Sequence, residues 1–520
     1  MRIRIATALL VAMLGCSAWG AGKAKHVVIV VMDGLRPDSV VEADMPNLSK
    51  MAKAGTFFDR HHPVYLSTTE VNGTALATGM RPAHSGIVGN REYRPDMELL
   101  QSVDTQGEWT VWKGDQLSGG KWIKVDTLPQ IVRANGGKTV VAGTKGVAML
   151  WDRGREGRTV DQATLFAGDT IPGALKDSLI ESFGPIPPSK DTRFFPNDTQ
   201  DHWTTRALIE KMWSGGLPAL SVLWLSDPDY TQHGAGPGSK VARQGLASAD
   251  DCLGKVLTAL ENAKLRDQTD VLVVSDHGFS TVWQGIDIME DLDAQQLDIG
   301  GLYLDKPKKG NIMMVGLGGS VAFYVIDHDA AVTEKLVKYL QTTPYAGVLF
   351  TREKMAGTFL QSDAGIDSPV GADVVMSMRW RADKINREGA MPGMLLIEGK
   401  GYKPGQGMHG SLSRFDMHNT LIAAGPDFKV GFKSETPSAN SDVAPTVLSI
   451  LGIKPKEEMD GRVLEEGFVG AAAEGPKVET SVMEAKRDLG DNKAWQQYLK
   501  VSKVGKQAYF DEGNVGTPDK

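Results

Sequence analysis

The chain predicts an α/β fold: a mainly parallel central sheet with helices on both faces, interrupted by an inserted cap subdomain. Three observations carry this. Val27 to Val31, Leu220 to Leu225 and Val271 to Val274 are short, nearly unbroken apolar runs, the pattern of strands buried on both faces. Between the last two, Ala242 to Ala263 repeats its apolar residues at helical spacing, as a crossover helix does. Each run then ends in polar chemistry: Asp33-Gly34, Ser226-Asp227-Pro228-Asp229 and Ser275-Asp276-His277-Gly278. Open α/β sheets keep their sites at the C-terminal ends of their strands.

At 520 residues the chain has room for one large or two ordinary domains. A net charge of -7 argues against a general nucleic-acid binder, and no duplex binding is expected. An anionic substrate must then be held by local groups, most simply metal ions. Residues 1–21 read as a secretory signal peptide: Arg2 and Arg4, an apolar stretch from Ile5 to Leu14, then small residues. This places the protein in the periplasm or outside the cell, and Met13-Leu14-Gly15-Cys16 offers Cys16 as an alternative lipid anchor. Cys252 is the other cysteine, so neither an internal disulfide nor a thiolate metal site is expected in the mature chain. No later stretch is long and apolar enough for a transmembrane segment.

In chain order, the first strand is followed by a helix around Leu48, Met51 and Ala52, stopped by Gly55. Phe57-Phe58 resumes extended structure, residues 67–73 read as a polar turn, and Thr74 to Thr78 as a short helix. Residues 80–90 read as an ordered loop, residues 91–135 show no clear period, and Thr139 to Ala142 is a strand. Residues 155–200 are loop-rich, and His202 to Met212 is helical. From 279 the β–α alternation breaks. The catalytic core is therefore expected over 22–278 and 405–470, with 279–404 as the inserted cap. A polar C-terminal extension, 471–520, is expected to carry one short helix near Lys493 to Leu499.

The strand ends and loops supply Asp33, Asp229, His233, Asp276, His277 and His409. Taken singly these are weak signals: an Asp-His pair is an ordinary polar strand end, and Asp-Gly is first a turn. Jointly, three aspartates and three histidines suit zinc, which accepts both imidazole nitrogen and carboxylate oxygen. Six ligands exceed one tetrahedral ion and fit two Zn2+ ions, which together can grip the attacking and leaving oxygens of a displacement at phosphorus.

The ordered set Val31-Met32-Asp33-Gly34-Leu35-Arg36-Pro37, Met45-Pro46-Asn47-Leu48, Thr78-Gly79-Met80-Arg81-Pro82, Asp227 to Pro237, Ser275-Asp276-His277-Gly278 and Met408-His409-Gly410 resembles the nucleotide pyrophosphatase/phosphodiesterase branch of the alkaline phosphatase superfamily. The resemblance implies an alkaline-phosphatase-like three-layer sandwich and a secreted two-zinc phosphoric-ester hydrolase acting on a small-molecule phosphate ester. It implies that Thr69 is the nucleophile and forms a phospho-threonine intermediate. One zinc would take Asp33, Asp276, His277 and Thr69, the other Asp229, His233 and His409. Asn90 stands where the family has an amide donating to a phosphoryl oxygen. Read from the residues alone, Thr69 has rivals in Ser67 and Thr68, and Asn90 could be a turn residue.

The chain departs from the nucleotide-cleaving pattern at Glu70, where those members carry a base-stacking aromatic residue. Lys145 resembles a lysine that monoesterases and phosphonate hydrolases of the superfamily aim at the substrate, but Val147 replaces the arginine that accompanies it in the monoesterases. Phosphodiester or pyrophosphate cleavage is therefore expected, with phosphomonoester or phosphonate cleavage as the alternative. A non-catalytic zinc-binding protein is the remote alternative, because it would not need Thr69 and Asn90 together.

Overall fold

Nine strands make the central sheet of the computed structural model, which describes residues 22–155, 158–188, 193–472 and 475–517. The expected signal peptide and Cys16 lie outside the described residues. The strands are β1 (His26–Met32), β2 (Thr56–Phe58), β3 (Thr139–Gly143), β4 (Thr164–Phe166), β5 (Asp169–Ile171), β6 (Leu220–Leu225), β7 (Thr269–Val274), β8 (Leu421–Ala424) and β9 (Phe432–Ser434). Their spatial order is β9-β2-β8-β7-β1-β6-β3-β4-β5. The run β7-β1-β6-β3-β4 is parallel throughout, and β8 joins antiparallel beside β7.

Register follows from burial. Ile29 of β1 lies opposite Leu272 of β7 and Val222 of β6, and all three are fully buried. Successive β1 side chains alternate between two cores. Val27, Ile29 and Val31 join Leu76 and Val447 on one face, while Val28, Val30 and Met32 join Leu253 and Val256 on the other. Helices thus cover both faces, the three-layer sandwich expected, and each such side chain contributes about 1.5–3 kcal/mol of burial. The helices that matter below are α1 (Thr69–Thr78), α2 (Asp229–Ala235) and α3 (Lys240–Asn262). α3 is the predicted crossover; Ser239 caps it, its hydroxyl accepting from the Ala242 N–H.

Residues 280–408 build two further sheets, one of four strands and one of six, around a separate apolar cluster. The segment Leu317–Ser320 meets the stretch that follows Gly407–Met408, where the Gly319 N–H donates to the His409 carbonyl and Ser320 Oγ to the Gly410 carbonyl.

Four local readings change. The polar turn expected at 67–73 is largely helix: α1 begins at Thr69, and all ten of its residues are buried, so packing on both sides overrides its polar, β-branched composition. Residues 91–135, without a clear period in sequence, contain the helices Glu108–Ser118 and Leu128–Ala134. The loop-rich stretch 155–200 contains β4, β5 and the helix Gly173–Phe183. The helix expected near 493–499 is a strand, Lys493–Val504, central in a three-stranded antiparallel sheet. Trp495, Tyr498 and Leu499 mimic helical spacing, but the strand is paired on both edges and Gln497, Tyr498, Leu499, Val501 and Ser502 are all buried, a run no single helical face accounts for. Asp491 and Asn492, both at positive φ, turn the hairpin that imposes this register, and the Gln497 amide pairs with both backbone groups of Leu349.

Candidate metal centre

Four neighbouring parallel strands deliver the site. β1 ends at Asp33, β6 leads into Asp229 at the start of α2, β7 into Asp276 and His277, and β3 into Lys145. α2 carries His233 one turn after Asp229, and His409 enters from the segment after Gly407–Met408. All six predicted ligands are buried and meet in one place. Two groups bring their ligand atoms within 4.8 Å of one another: Asp33, Asp276 and His277, and Asp229, His277 and His409. His233 Nε2 lies 3.0 Å from Asp229 Oδ1. His277 stands between the two groups, its ring stacked on that of His409 at 3.5 Å.

The protein fixes which atoms face inward. Each histidine has Nδ1 against a backbone carbonyl: His233 on Gly407 at 3.1 Å, His277 on Gly278 at 2.9 Å, His409 on Ser67 at 2.9 Å. Nδ1–H donates there, so Nε2 presents its lone pair to the centre. The aspartates are equally sided. Asp276 Oδ1 accepts the Gly34 and His277 N–H groups, each at 3.0 Å. Asp33 Oδ2 accepts from Trp224 Nε1 at 2.9 Å and from Lys145 Nζ at 2.8 Å, and Asp229 Oδ2 accepts from Lys145 at 2.6 Å. The opposite oxygens, Asp33 Oδ1, Asp229 Oδ1 and Asp276 Oδ2, are buried without a hydrogen-bond donor.

Bare carboxylate oxygens therefore confront imidazole lone pairs, with 3.3 Å from Asp276 Oδ2 and 3.6 Å from Asp33 Oδ1 to His277 Nε2. Acceptor against acceptor inside a protein is costly unless a cation lies between. Charge agrees: among the described residues, Lys145 is the only lysine or arginine ion-paired with any of the three buried carboxylates of this cluster. Burial, reinforced by Asp276, raises the Asp33 pKa well above the usual carboxylate range, and a cation would reverse this. At Asp229 burial pulls the same way, but His233, Lys145 and His409 outweigh it and hold the carboxylate well below that range. Burial lowers the pKa of His233 and of His409, in the latter helped by His277, the direction that favours a ligating imidazole. A mixed nitrogen–oxygen set of this kind fits divalent transition ions.

Thr69 is the first residue of α1, and its Oγ1 is 3.3 Å from His277 Nε2. The rival Ser67 is committed elsewhere, donating to the Ser411 carbonyl at 2.7 Å. Asn90 Oδ1 accepts the Glu70 N–H at 3.2 Å, which leaves the Nδ2 end of the amide as donor. Glu70 is buried, with Oε2 unpartnered; burial, then Asp104, pushes its carboxyl up to about 8. Lys145 does not stand clear for a substrate but bridges Asp33 and Asp229. Trp224 and Asn440 escaped the sequence reading. Trp224 is a mid-strand apolar residue by pattern, and Asn440 Nδ2 donates to the Asp276 carbonyl at 2.6 Å from more than 160 positions away. Neither position carries a local signal.

An α/β sheet that gathers two abutting carboxylate–imidazole groups around a helix-start hydroxyl defines a scaffold for divalent cations and anionic esters. The chain belongs to the type I phosphodiesterase/nucleotide pyrophosphatase family, whose model matches residues 27–404. It is 23% identical to the bis(5'-adenosyl)-triphosphatase of Mus musculus, over 83% of this chain and 78% of that protein. It is also 23% identical to human ectonucleotide pyrophosphatase/phosphodiesterase family member 7, over 61% of this chain and 63% of that one. A venom phosphodiesterase of Crotalus durissus collilineatus matches at 23% over 54% of this chain, which spans only 28% of that relative's length. Among solved structures, murine ectonucleotide pyrophosphatase/phosphodiesterase 5 superposes with a TM-score of 0.56 at 18% identity, covering 82% of this chain and 95% of that one. The fold is thus alkaline-phosphatase-like. Among the described residues, no helix is long and apolar enough to cross a membrane.

Proposed function

We propose that this chain is a two-zinc hydrolase of phosphodiester or pyrophosphate bonds that works through covalent attachment of the phosphoryl group to Thr69. The observation that carries the reading is the position of Thr69 Oγ1, at a helix start and 3.3 Å from the imidazole shared by both ligand groups. Asp33, Asp276, His277 and Thr69 would hold one ion, and Asp229, His233 and His409 the other. Such ions supply Lewis-acid polarisation of phosphoryl oxygens and make a nearby hydroxyl acidic.

The chain's own residues do the rest. The electropositive start of α1 attracts the phosphate and places Thr69 at its edge. Thr69 Oγ forms a bond to phosphorus as the bond to the departing alcohol or phosphate breaks. Water then cleaves the threonine ester, returning the hydroxyl. Asn90 Nδ2, held by the Glu70 N–H, donates to a non-bridging oxygen as charge builds there. The diester or pyrophosphate reading is favoured over the monoester alternative because Lys145 is ion-paired with Asp33 and Asp229 and Val147 brings no second cation.

Residues 279–404 act as a cap over this core, a reading supported by the contact of Leu317–Ser320 with His409 and Gly410. Export through the segment 1–21 accords with the relatives, which by name are venom and ecto-enzymes. The test is an acid quench during turnover of a diester, followed by peptide mass spectrometry. An adduct on Thr69, absent in Thr69→Ala with its zinc content unchanged, is expected. Full activity in Thr69→Ala would sink the mechanism.

A further inference from the structure

The three aspartates share one design: each spends one oxygen on protein donors and leaves the other bare toward the imidazoles. For Asp276 the donors are backbone N–H groups. For Asp33 and Asp229, which belong to different ligand groups, the common donor is Lys145, at 2.8 Å and 2.6 Å from their outer oxygens. Among the described residues, no other hydrogen-bond or ion-pair donor reaches both. Its backbone is fixed as well: the Thr144 N–H before it donates to the Trp224 carbonyl, and the Lys145 carbonyl accepts from Ala148.

We infer that Lys145 is a positioning residue that restricts Asp33 and Asp229 to one metal-facing oxygen each and ties the two cation sites together, instead of binding substrate. The inference rests on the proposed two-cation reading. A carboxylate with one oxygen held by an ammonium binds a cation through the other oxygen alone, which favours low coordination numbers. Released from Lys145, either aspartate can turn both oxygens inward and raise the coordination number.

The experiment replaces zinc with cobalt(II) and records visible d–d spectra of the wild-type protein, Lys145→Met and Lys145→Arg. The wild type is expected to give the intense bands of four-coordinate cobalt. Lys145→Met is expected to lose much of that intensity and shift toward the weaker five-coordinate pattern, with kcat reduced more than KM is raised for a diester. Lys145→Arg, which keeps two donors, should restore most of the intensity. Should Lys145→Met not fold, Trp224→Phe removes a donor from the same Asp33 oxygen and should weaken the bands of one cobalt only. Unchanged spectra in both Lys145→Met and Trp224→Phe, with KM alone raised in Lys145→Met, would overturn the inference while leaving the hydrolase reading intact. A wild-type protein that takes up no cobalt would overturn both.

Discussion

Replacing Asn90 with alanine separates the phosphoryl-stabilising role from simple architecture. The side chain accepts a hydrogen bond from the Glu70 N–H at 3.2 Å and is only partly buried. Losing such a bond costs about 0.5–1.5 kcal/mol of stability. Losing a preorganised donor to a developing oxyanion costs far more in rate, about 10²–10³ in kcat or roughly 2.7–4 kcal/mol. The two figures predict a protein whose melting temperature falls by a few degrees and whose turnover of bis(p-nitrophenyl) phosphate falls at least a hundredfold. Asn90→Asp is the sharper comparison. It keeps an oxygen for the Glu70 N–H but replaces the Nδ2 donor with a second acceptor, so its kcat should lie below that of Asn90→Ala while its stability lies above. Steady-state kinetics with a parallel thermal melt reads both. An Asn90→Ala enzyme within threefold of wild type, or Asn90→Asp faster than Asn90→Ala, would refute the assignment.

Other expectations are independent of Asn90. A Cβ at Gly278 would collide with the Phe415 and His418 carbonyl oxygens, so Gly278→Ala should cost about 1–3 kcal/mol or more and shift the adjacent His277; a denaturation midpoint equal to wild type would contradict this. Prolonged chelation should abolish activity and lower the melting temperature, since a cation at a hundred times its Kd stabilises by about 2.7 kcal/mol, and zinc should restore both. His61 is fully buried, and burial depresses its pKa from 6.5 to about 3. The unfolded chain therefore binds the extra proton first: the stability is complete above pH 6.5 and is lost as pH falls toward 3, by up to about 1.4 kcal/mol per pH unit. Urea melts across that range should show a flatter acid limb in His61→Asn; an equally steep limb would assign the acid sensitivity elsewhere.

The sequence by itself determined the sheet and the inventory of candidate ligands. β1, β6 and β7 are apolar runs with no competing helical period, and each terminates in the residue that faces the site, so strand, polarity and location were readable together. What it left open depends on distance in space. Thr69 is separable from Ser67 and Thr68 in sequence only by resemblance; folding commits the Ser67 hydroxyl to Ser411 and sets the Thr69 hydroxyl beside His277, while Thr68 Oγ1 is buried without a partner. Gly278 reads as a turn glycine, but its φ is not positive; its lack of a side chain is required by the close approach of the Phe415 backbone. The strand Lys493–Val504 resembled a helix because Trp495, Tyr498 and Leu499 satisfy both spacings, and only pairing with Val478–Gly490 and Gln507–Val515 decides between them. Lys145 shows the limit most plainly. Its position after β3 was legible, but an ammonium goes where carboxylates are densest, and only the tertiary structure sets Asp33 and Asp229 on either side of it.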